Sequence, residues 1–270
     1  MLYSGAAAHY LRGRPPYSAQ LADTLARELG LDGDGTLVDV GCGPGTLAVA
    51  LAPLFDRVIG IDPDPDMLDH AEQHARAAGR RGIEWCNANA EDISDLALPP
   101  ARIVTFGQSF HWTRRDVVTD AVYELLTPGG SIVLVAHDID TRPAPAGPGD
   151  PPIPDAEVQD LIARYLGPDY RERHRSAHWA PSDRYEPALA ATRFGFARTV
   201  HAPGHEDLTR DVDGVISGYL SMSYAAPHRF ASQLDRFVAE LRVLLAARTP
   251  TGRFWDWPGD TALIIATKPK

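Results

Sequence analysis

A chain of 270 residues, 44% hydrophobic and 23% charged, has the makeup of an ordinary globular protein long enough to bury its own core. Its formal net charge of −10, from 26 Lys and Arg against 36 Asp and Glu, argues against the broad basic face with which a nucleic-acid binder displaces counterions. No apolar run reaches bilayer length, no signal-like apolar core opens the chain, and two cysteines, Cys42 and Cys86, make neither a disulfide framework nor a Cys-rich metal site, so a reducing cytoplasmic setting is the expectation.

An N-terminal arm with Tyr10, Arg14 and Tyr17 leads into apolar residues at helical spacing, Leu21, Leu25 and Leu29, stopped by Gly30. Strand and helix signals then alternate: strands are expected over 36–41, 57–61, 83–87, 102–107 and 130–136, and helices over 45–53, 65–79 and 114–126. That alternation describes βαβ units in a parallel sheet, whose ligands sit at the carboxyl ends of the strands. Six prolines between 143 and 154 break any regular element and mark a linker or lid. A helical pattern follows with Val158, Leu161, Ile162, Tyr165 and Leu166, and then a stretch rich in His, Arg and Trp. A strand at 194–201, helices near 207–220 and 228–247 and a last strand at 261–267 complete the reading, with no internal repeat.

Residues 38–45, Val-Asp-Val-Gly-Cys-Gly-Pro-Gly, are the most informative stretch. A β-prone run empties into Gly41, Gly43 and Gly45, and a helix-like segment follows, so the backbone can turn tightly and approach a ligand where a Cβ would obstruct it. A dinucleotide loop, G-x-G-x-x-G, needs its third glycine at position 46, which is Thr46. The run instead resembles motif I of the class I S-adenosylmethionine methyltransferases, D/E-x-G-x-G-x-G, with Asp39 as the acid and Cys42 inside the loop.

Further stretches keep that family's order. Asp62 ends the second strand, 21 residues after Gly41, where a carboxylate can accept hydrogen bonds from both ribose hydroxyls or can cap the next helix, as can Asp64 or Asp66. Asn89-Ala90-Glu91-Asp92 resembles the family's adenine-binding turn, with Glu91 and Asp92 alternatively solvated loop acids. Met67 matches an apolar position packed on adenine, or else is core, and Pro63 adjoins Asp62. Leu126-Thr127-Pro128-Gly129-Gly130 resembles the tight turn before strand five. His9-Tyr10-x-x-x-Arg14-Pro15-x-Tyr17 is similar to the opening of the ubiquinone/menaquinone-methyltransferase-like and trans-aconitate-methyltransferase-like subgroup. There the arm folds over the cofactor and Arg14 would pair with its carboxylate; the alternative is a surface arm.

The resemblance implies a Rossmann-like α/β fold: a seven-stranded, mostly parallel sheet with helices on both faces, an antiparallel last strand beside strand five, and a substrate-covering insertion after strand five. It divides the chain into an arm and helix at 1–30, a cofactor-binding core at 31–138, a lid at 139–190 and a completion of the sheet at 191–270. The implied cofactor is S-adenosylmethionine, released as S-adenosylhomocysteine. Its expected contacts are Tyr10, Arg14, Asp39, Gly41, Cys42, Gly43, Gly45, Asp62, Pro63, Met67, Asn89, Ala90, Glu91 and Gln108. His and carboxylate residues lack metal-site spacing, so no metal is expected.

Methyl transfer from a sulfonium is an in-line displacement that needs a nucleophile held about 3 to 3.5 Å from the methyl carbon. A base is needed only where the acceptor must lose a proton. Gly107-Gln108-Ser109-Phe110-His111-Trp112, just beyond strand four, is similar to a G-Q-x-x-H-W stretch of the subgroup. There Gln108 borders the methionine portion, and His111 is either a base, since imidazole titrates near neutrality, or a pocket wall together with Trp112. His137 and Asp138, ending strand five, form a second candidate pair. His178 and Tyr219 are acceptor-side candidates, with His174, Trp179 and Tyr224 beside them. The expectation is a methyltransferase acting on oxygen or nitrogen, with carbon allowed, of a small-molecule acceptor, without nucleic-acid or membrane partners. The alternatives are an NAD-dependent oxidoreductase, disfavoured by Thr46, and a protein that binds S-adenosylmethionine without transferring its methyl. The sequence assigns no oligomeric state.

Overall fold

A computed structural model describes residue 3 and residues 5–138, 149–172 and 185–270. Prolines 143, 145 and 148, together with His174, His178 and Trp179, lie outside the described residues. In chain order the elements are α1 (Ala7–Gly13), α2 (Leu21–Leu29), β1 (Thr36–Val40), α3 (Thr46–Leu51), β2 (Arg57–Asp62), α4 (Pro65–Ala77), β3 (Ile83–Asn87) and β4 (Ala101–Gly107). They continue with α5 (Arg115–Leu125), β5 (Leu126–Asp138), α6 (Asp155–Leu166), α7 (Tyr185–Ala190), β6 (Arg198–Ala202), β7 (Thr209–Asp211), α8 (Val212–Leu220), α9 (Leu234–Ala246), β8 (Arg253–Trp255) and β9 (Asp260–Thr267). The chain divides into two compact units, a sheet unit of Tyr17–Asp138, Ser176–Pro203 and Asp260–Lys270 and a helical unit of the remainder.

The sheet unit holds a seven-stranded sheet in the order β3-β2-β1-β4-β5-β9-β6. Pairs within β1 to β5 are parallel, whereas β9 runs antiparallel to both β5 and β6. The doubly wound α/β architecture and the antiparallel last strand are as expected. Because β2 flanks β1 on one side and β4 on the other, the winding reverses there, and such a switch opens a crevice at the carboxyl ends of β1 and β4.

The central strands read as continuous apolar runs because both faces are covered. All five residues of β1 are buried. Alternate side chains go to opposite cores: Val38, Val104, Ile132, Leu134 and Ile264 join Val118 and Val122 of α5 and Leu189 of α7. Leu37, Ile103, Val133, Val135 and Leu263 join Leu21 and Leu25 of α2 and Leu47 and Leu51 of α3. Burying each such side chain contributes about 1.5–3 kcal/mol.

Local chemistry sets the boundaries. Gly30 stops α2 in a left-handed conformation, φ 59°. Pro53 ends α3 in a 3₁₀ turn over Ala52–Leu54, short of the expected 53. Among the three candidate aspartates before α4, Asp64 is the cap: its carboxylate accepts from the Asp66 N–H at 3.0 Å, with Pro65 in the first helical turn. The turn expected at 126–130 is instead part of β5. Pairing jumps from Ala101↔Leu126 to Ile103↔Ser131, so Pro128, Gly129 and Gly130 form a bulge in the strand. Pro128 has no N–H to donate, and Gly129 takes φ 82° while its N–H finds the Lys268 carbonyl. Likewise β6 starts at Arg198 rather than 194, because Gly195 turns at φ 68°.

The helical unit has its own core, built from Val158, Leu161, Ile162, Val215, Phe237, Leu241 and Phe254. Helix α1 was not expected. It packs so closely on α8 that a Cβ at Gly13 would lie 2.3 Å from the Ser217 carbonyl oxygen. The helix expected at 207–220 opens with β7, paired to β8, and α8 begins where the Asp211 carboxylate caps the Gly214 N–H at 2.6 Å. Helix α9 starts at Leu234 rather than 228, after a 3₁₀ turn opened by Pro227. An Arg210–Asp256 ion pair at 3.1 Å pins the aromatic run 254–257. No helix is long and apolar enough to cross a membrane among the described residues.

Candidate cofactor and acceptor site

The glycine loop between β1 and α3 has an enclosed underside. Asp39 is 1% exposed and points into the sheet unit. One of its oxygens accepts from the Thr105 hydroxyl at 2.7 Å, and the other accepts from the Ala48 N–H in the first turn of α3 at 3.2 Å. An interior carboxylate with two donors ties the strand to an otherwise unpaired helix amide. Burial is the main force pushing its pKa up, to about 7. Cys42 is also buried, its Sγ 3.0 Å from where a Cβ at Gly60 would stand, and burial raises its thiol pKa. Both side chains are therefore turned toward the interior.

The three loop glycines all have positive φ but differ in surroundings. At Gly41 a Cβ would lie 2.5 Å from Ser109, and at Gly45 it would lie 2.8 Å from Trp85. Those two are glycine for internal packing. At Gly43, φ 53°, a Cβ would meet nothing within 4 Å among the described residues. The open side of the loop is thus at Gly43. From α4, His74 Nδ1 meets the Pro44 carbonyl at 3.0 Å and braces the loop.

Asp62 ends β2 beside that open glycine. Its carboxylate accepts from the Gly43 N–H at 2.8 Å and the Asp64 N–H at 2.9 Å. Burial raises its pKa against those two amides. A carboxylate has about four acceptor positions, so two amide bonds leave capacity for further donors. Pro63 is exposed and Met67 is buried, 3% exposed, on α4. After β3, Asn89 and Asp92 bond each other through the Asn89 side-chain amide at 2.8 Å, closing a 3₁₀ turn that begins at Ala90. Glu91 accepts from the Arg114 N–H at 2.7 Å, which gives it an internal partner.

At the carboxyl end of β4, Gln108 is left-handed with φ 54°, and its N–H donates to the Val135 carbonyl at 3.0 Å. A non-glycine residue in that region carries strain of about 1–3 kcal/mol, a feature that concentrates at ligand sites. Ser109 donates to the Val40 carbonyl at 2.6 Å, tying this turn to β1. His111 and Trp112 stand side by side, ring centroids 4.9 Å apart, and His111 Nδ1 lies 2.9 Å from the Tyr185 hydroxyl of α7. His137 stacks on Tyr17, ring centroids 5.0 Å apart, and Asp138 meets His201 Nε2 at 3.0 Å.

Tyr10, Arg14, Tyr219 and Tyr224 belong to the helical unit. The Arg14 guanidinium donates to the Ser221 carbonyl at 2.9 Å and lies 5.0 Å from the Tyr10 ring centroid. Tyr219 is 6% exposed and its hydroxyl bonds the Asp155 carboxylate, which with burial raises the phenol pKa. His178 lies outside the described residues. Thr105, Ser109, His74, Tyr185 and His201 escaped the sequence reading. Strand alternation places Thr105 on the face of Asp39, but the other partners are joined only by tertiary contact. Among the described residues no group of three or more His, Cys, Asp or Glu is placed to hold a metal.

Residues 37–130 match the methyltransferase domain family. The chain is 30% identical over 128 residues, 47% of its length, to the "Probable S-adenosylmethionine-dependent methyltransferase CRG1" of Saccharomyces cerevisiae, of which the match spans 44%. It is 25% identical over 170 residues, 60% of its length and 73% of the relative, to the "2-heptyl-1-hydroxyquinolin-4(1H)-one methyltransferase" of Mycobacteroides abscessus. Relatives named for RNA methylation also match, over shorter stretches. The solved structure of BH2331 from Bacillus halodurans C-125 shares the fold at TM-score 0.51 and 18% identity, covering 93% of this chain and 100% of that one. Residues 37–130, about a third of the chain, are thus similar to a methyltransferase domain, and they carry the positive-φ glycine loop and the acid closing β2.

Proposed function

We propose that the chain moves a methyl group from S-adenosylmethionine to oxygen or nitrogen, with carbon allowed, of a small-molecule acceptor. The observation that carries this reading is Gly43, the loop glycine whose missing Cβ would meet nothing within 4 Å among the described residues, with the Asp62 carboxylate bonded to its amide. A nucleoside cofactor fits there because the backbone can approach it without a side chain intervening. Asp62 would accept the ribose hydroxyls with its remaining lone pairs, the Asn89-Ala90 turn and Met67 would border the base, and Gln108 would border the methionine portion. The enclosed Asp39 would act at one remove, by holding α3 and the loop in place. When bound, the cofactor supplies an electrophilic methyl on a sulfonium, so this chain's task is to hold an acceptor in line.

A small acceptor is supported by the net charge of −10 and by the small molecule in the name of the Mycobacteroides relative. Titration calorimetry with S-adenosylhomocysteine and with NADH tests the cofactor: the first should bind and the second should not. Incubation with methyl-labelled cofactor, a metabolite panel and bulk RNA tests the acceptor. Label in a small molecule supports the reading. Label in RNA alone overturns the acceptor class, and bound cofactor without any transfer overturns the activity.

A further inference from the structure

We propose that His74 is a positioning residue for the glycine loop: its Nδ1–H, donated to the Pro44 carbonyl, holds the Pro44–Gly45 peptide in the turn that leaves Gly43 open. That a cofactor meets this loop rests on the function proposed above, whereas the brace itself does not.

Pro44 stands between two glycines of positive φ and has no N–H, so its carbonyl is the hydrogen-bonding group by which its backbone can be held. Helix α3 does not take that carbonyl. The Ala48 N–H, four residues on, would bond it in a helix begun one residue earlier, but it turns to the Asp39 carboxylate at 3.2 Å. The first bond along α3 then runs from the Val49 N–H to the Gly45 carbonyl at 2.9 Å. What meets the Pro44 carbonyl is His74 Nδ1, at 3.0 Å. A carbonyl can only accept, so the proton of this bond belongs to Nδ1. Neutral imidazole can carry its proton there and the imidazolium always does, so the bond holds whether the ring is neutral or charged.

His74 reaches the loop from a helix tied to it at a second point. The Asp62 carboxylate accepts from the Gly43 N–H at 2.8 Å and from the Asp64 N–H at 2.9 Å, and Asp64 caps α4 through the Asp66 N–H. The start of α4 is therefore joined to Gly43 and a later turn of it to Pro44. Between these ties the helix packs on the loop. Ala71, on the same face as His74, lies 3.2 Å from where a Cβ at Gly45 would stand. The Trp85 ring lies 2.8 Å from that point, and its Nε1–H donates to Glu72 of α4 at 2.8 Å. Packing thus sets Gly45 and a hydrogen bond sets Pro44, both from α4.

The consequence falls on Gly43, held on one side by its amide on Asp62 and on the other by the residue that His74 anchors. Without the His74 donor, the Pro44–Gly45 peptide has to be ordered again whenever a ligand approaches the Gly43 backbone. That ordering is subtracted from affinity.

Amide hydrogen exchange and calorimetric titration of S-adenosylhomocysteine, on the full chain and on His74→Leu and His74→Asn, test the proposal. Asparagine places an amide N–H where the imidazole Nδ1–H stands, and leucine fills the ring's place without a donor. His74→Leu should speed exchange at the Gly43 and Gly45 amides and weaken S-adenosylhomocysteine binding about tenfold, the loss of one ordinary hydrogen bond, whereas His74→Asn should stay within about twofold of the unmodified chain. A merely structural role predicts the reverse order, because leucine is the better helix former. Exchange and affinity unchanged in His74→Leu overturn the proposal, as does a His74→Asn no better than His74→Leu. Long-range ¹H–¹⁵N correlation on the imidazole-labelled, unmodified chain decides the bond even where a variant fails to fold: Nδ1 of His74 should be protonated, and an unprotonated Nδ1 would refute the brace. Faster exchange in His74→Leu, in a chain that binds no S-adenosylhomocysteine, overturns the function proposed above and leaves the brace standing.

Discussion

The underside and the open side of one glycine loop are built on opposite terms. Beneath the loop, Asp39 is matched by Thr105 and Ala48, Gly41 by Ser109, and Gly45 by Trp85, each for an internal reason. On the open side, a Cβ at Gly43 would meet nothing within 4 Å among the described residues, and Gln108 holds a left-handed conformation. Residues of a single motif thus divide into those that shape the loop and those that a ligand would meet. Sequence spacing treats them alike, and only their surroundings separate them.

Substitutions on the two sides should fail in different ways. Gly41→Ala combines a left-handed backbone with a Cβ 2.5 Å from Ser109, and it should cost about 2–5 kcal/mol of stability in urea denaturation. A variant of unchanged midpoint would dissolve the distinction. Asp39→Asn tests the same side through pH. The folded-state pKa of Asp39 is raised to about 7, so the folded chain holds that proton more tightly than the unfolded one. Stability from this group is therefore fully present below the ordinary carboxylate range and declines as pH rises toward about 7. Asp62, raised in the same direction, adds to the slope. Denaturation curves across that window should show a shallower decline for Asp39→Asn, and parallel curves would refute the assignment.

Gly43→Ala, on the open side, should cost only about 1–2 kcal/mol of stability, the ordinary penalty for a Cβ in that conformation. Its larger effect should be on S-adenosylhomocysteine affinity, read by calorimetry. The smallest effect is expected from Gln108→Gly, which relieves the left-handed strain and should raise stability by about 1 kcal/mol. A loss of stability there would show that the Gln108 side chain holds the fold.

The sheet was legible because its signals are local. Alternating strand and helix periods located β1 to β4 and α2 to α6 within a few residues, and Gly30 and the loop glycines announce their own turns. The two-stranded pairing of β7 with β8 was not legible, since three-residue strands carry no periodicity and their partners lie far apart in the chain. The bulge at 128–130 reads as a turn because proline and glycine mark both, and register alone distinguishes them. At the candidate site, spacing drew attention to Asp62 and Gly43, which a hydrogen bond joins. It drew none to Tyr185, because nothing near position 185 signals a partner at 111.

Calorimetric titration of S-adenosylhomocysteine into the full chain and into Gly43→Val asks whether a cofactor meets the loop at Gly43. Saturable binding by the unmodified chain, lost in a Gly43→Val chain that melts as a folded protein, is the predicted result. Binding that survives Gly43→Val unchanged, or no binding by the unmodified chain, would contradict it.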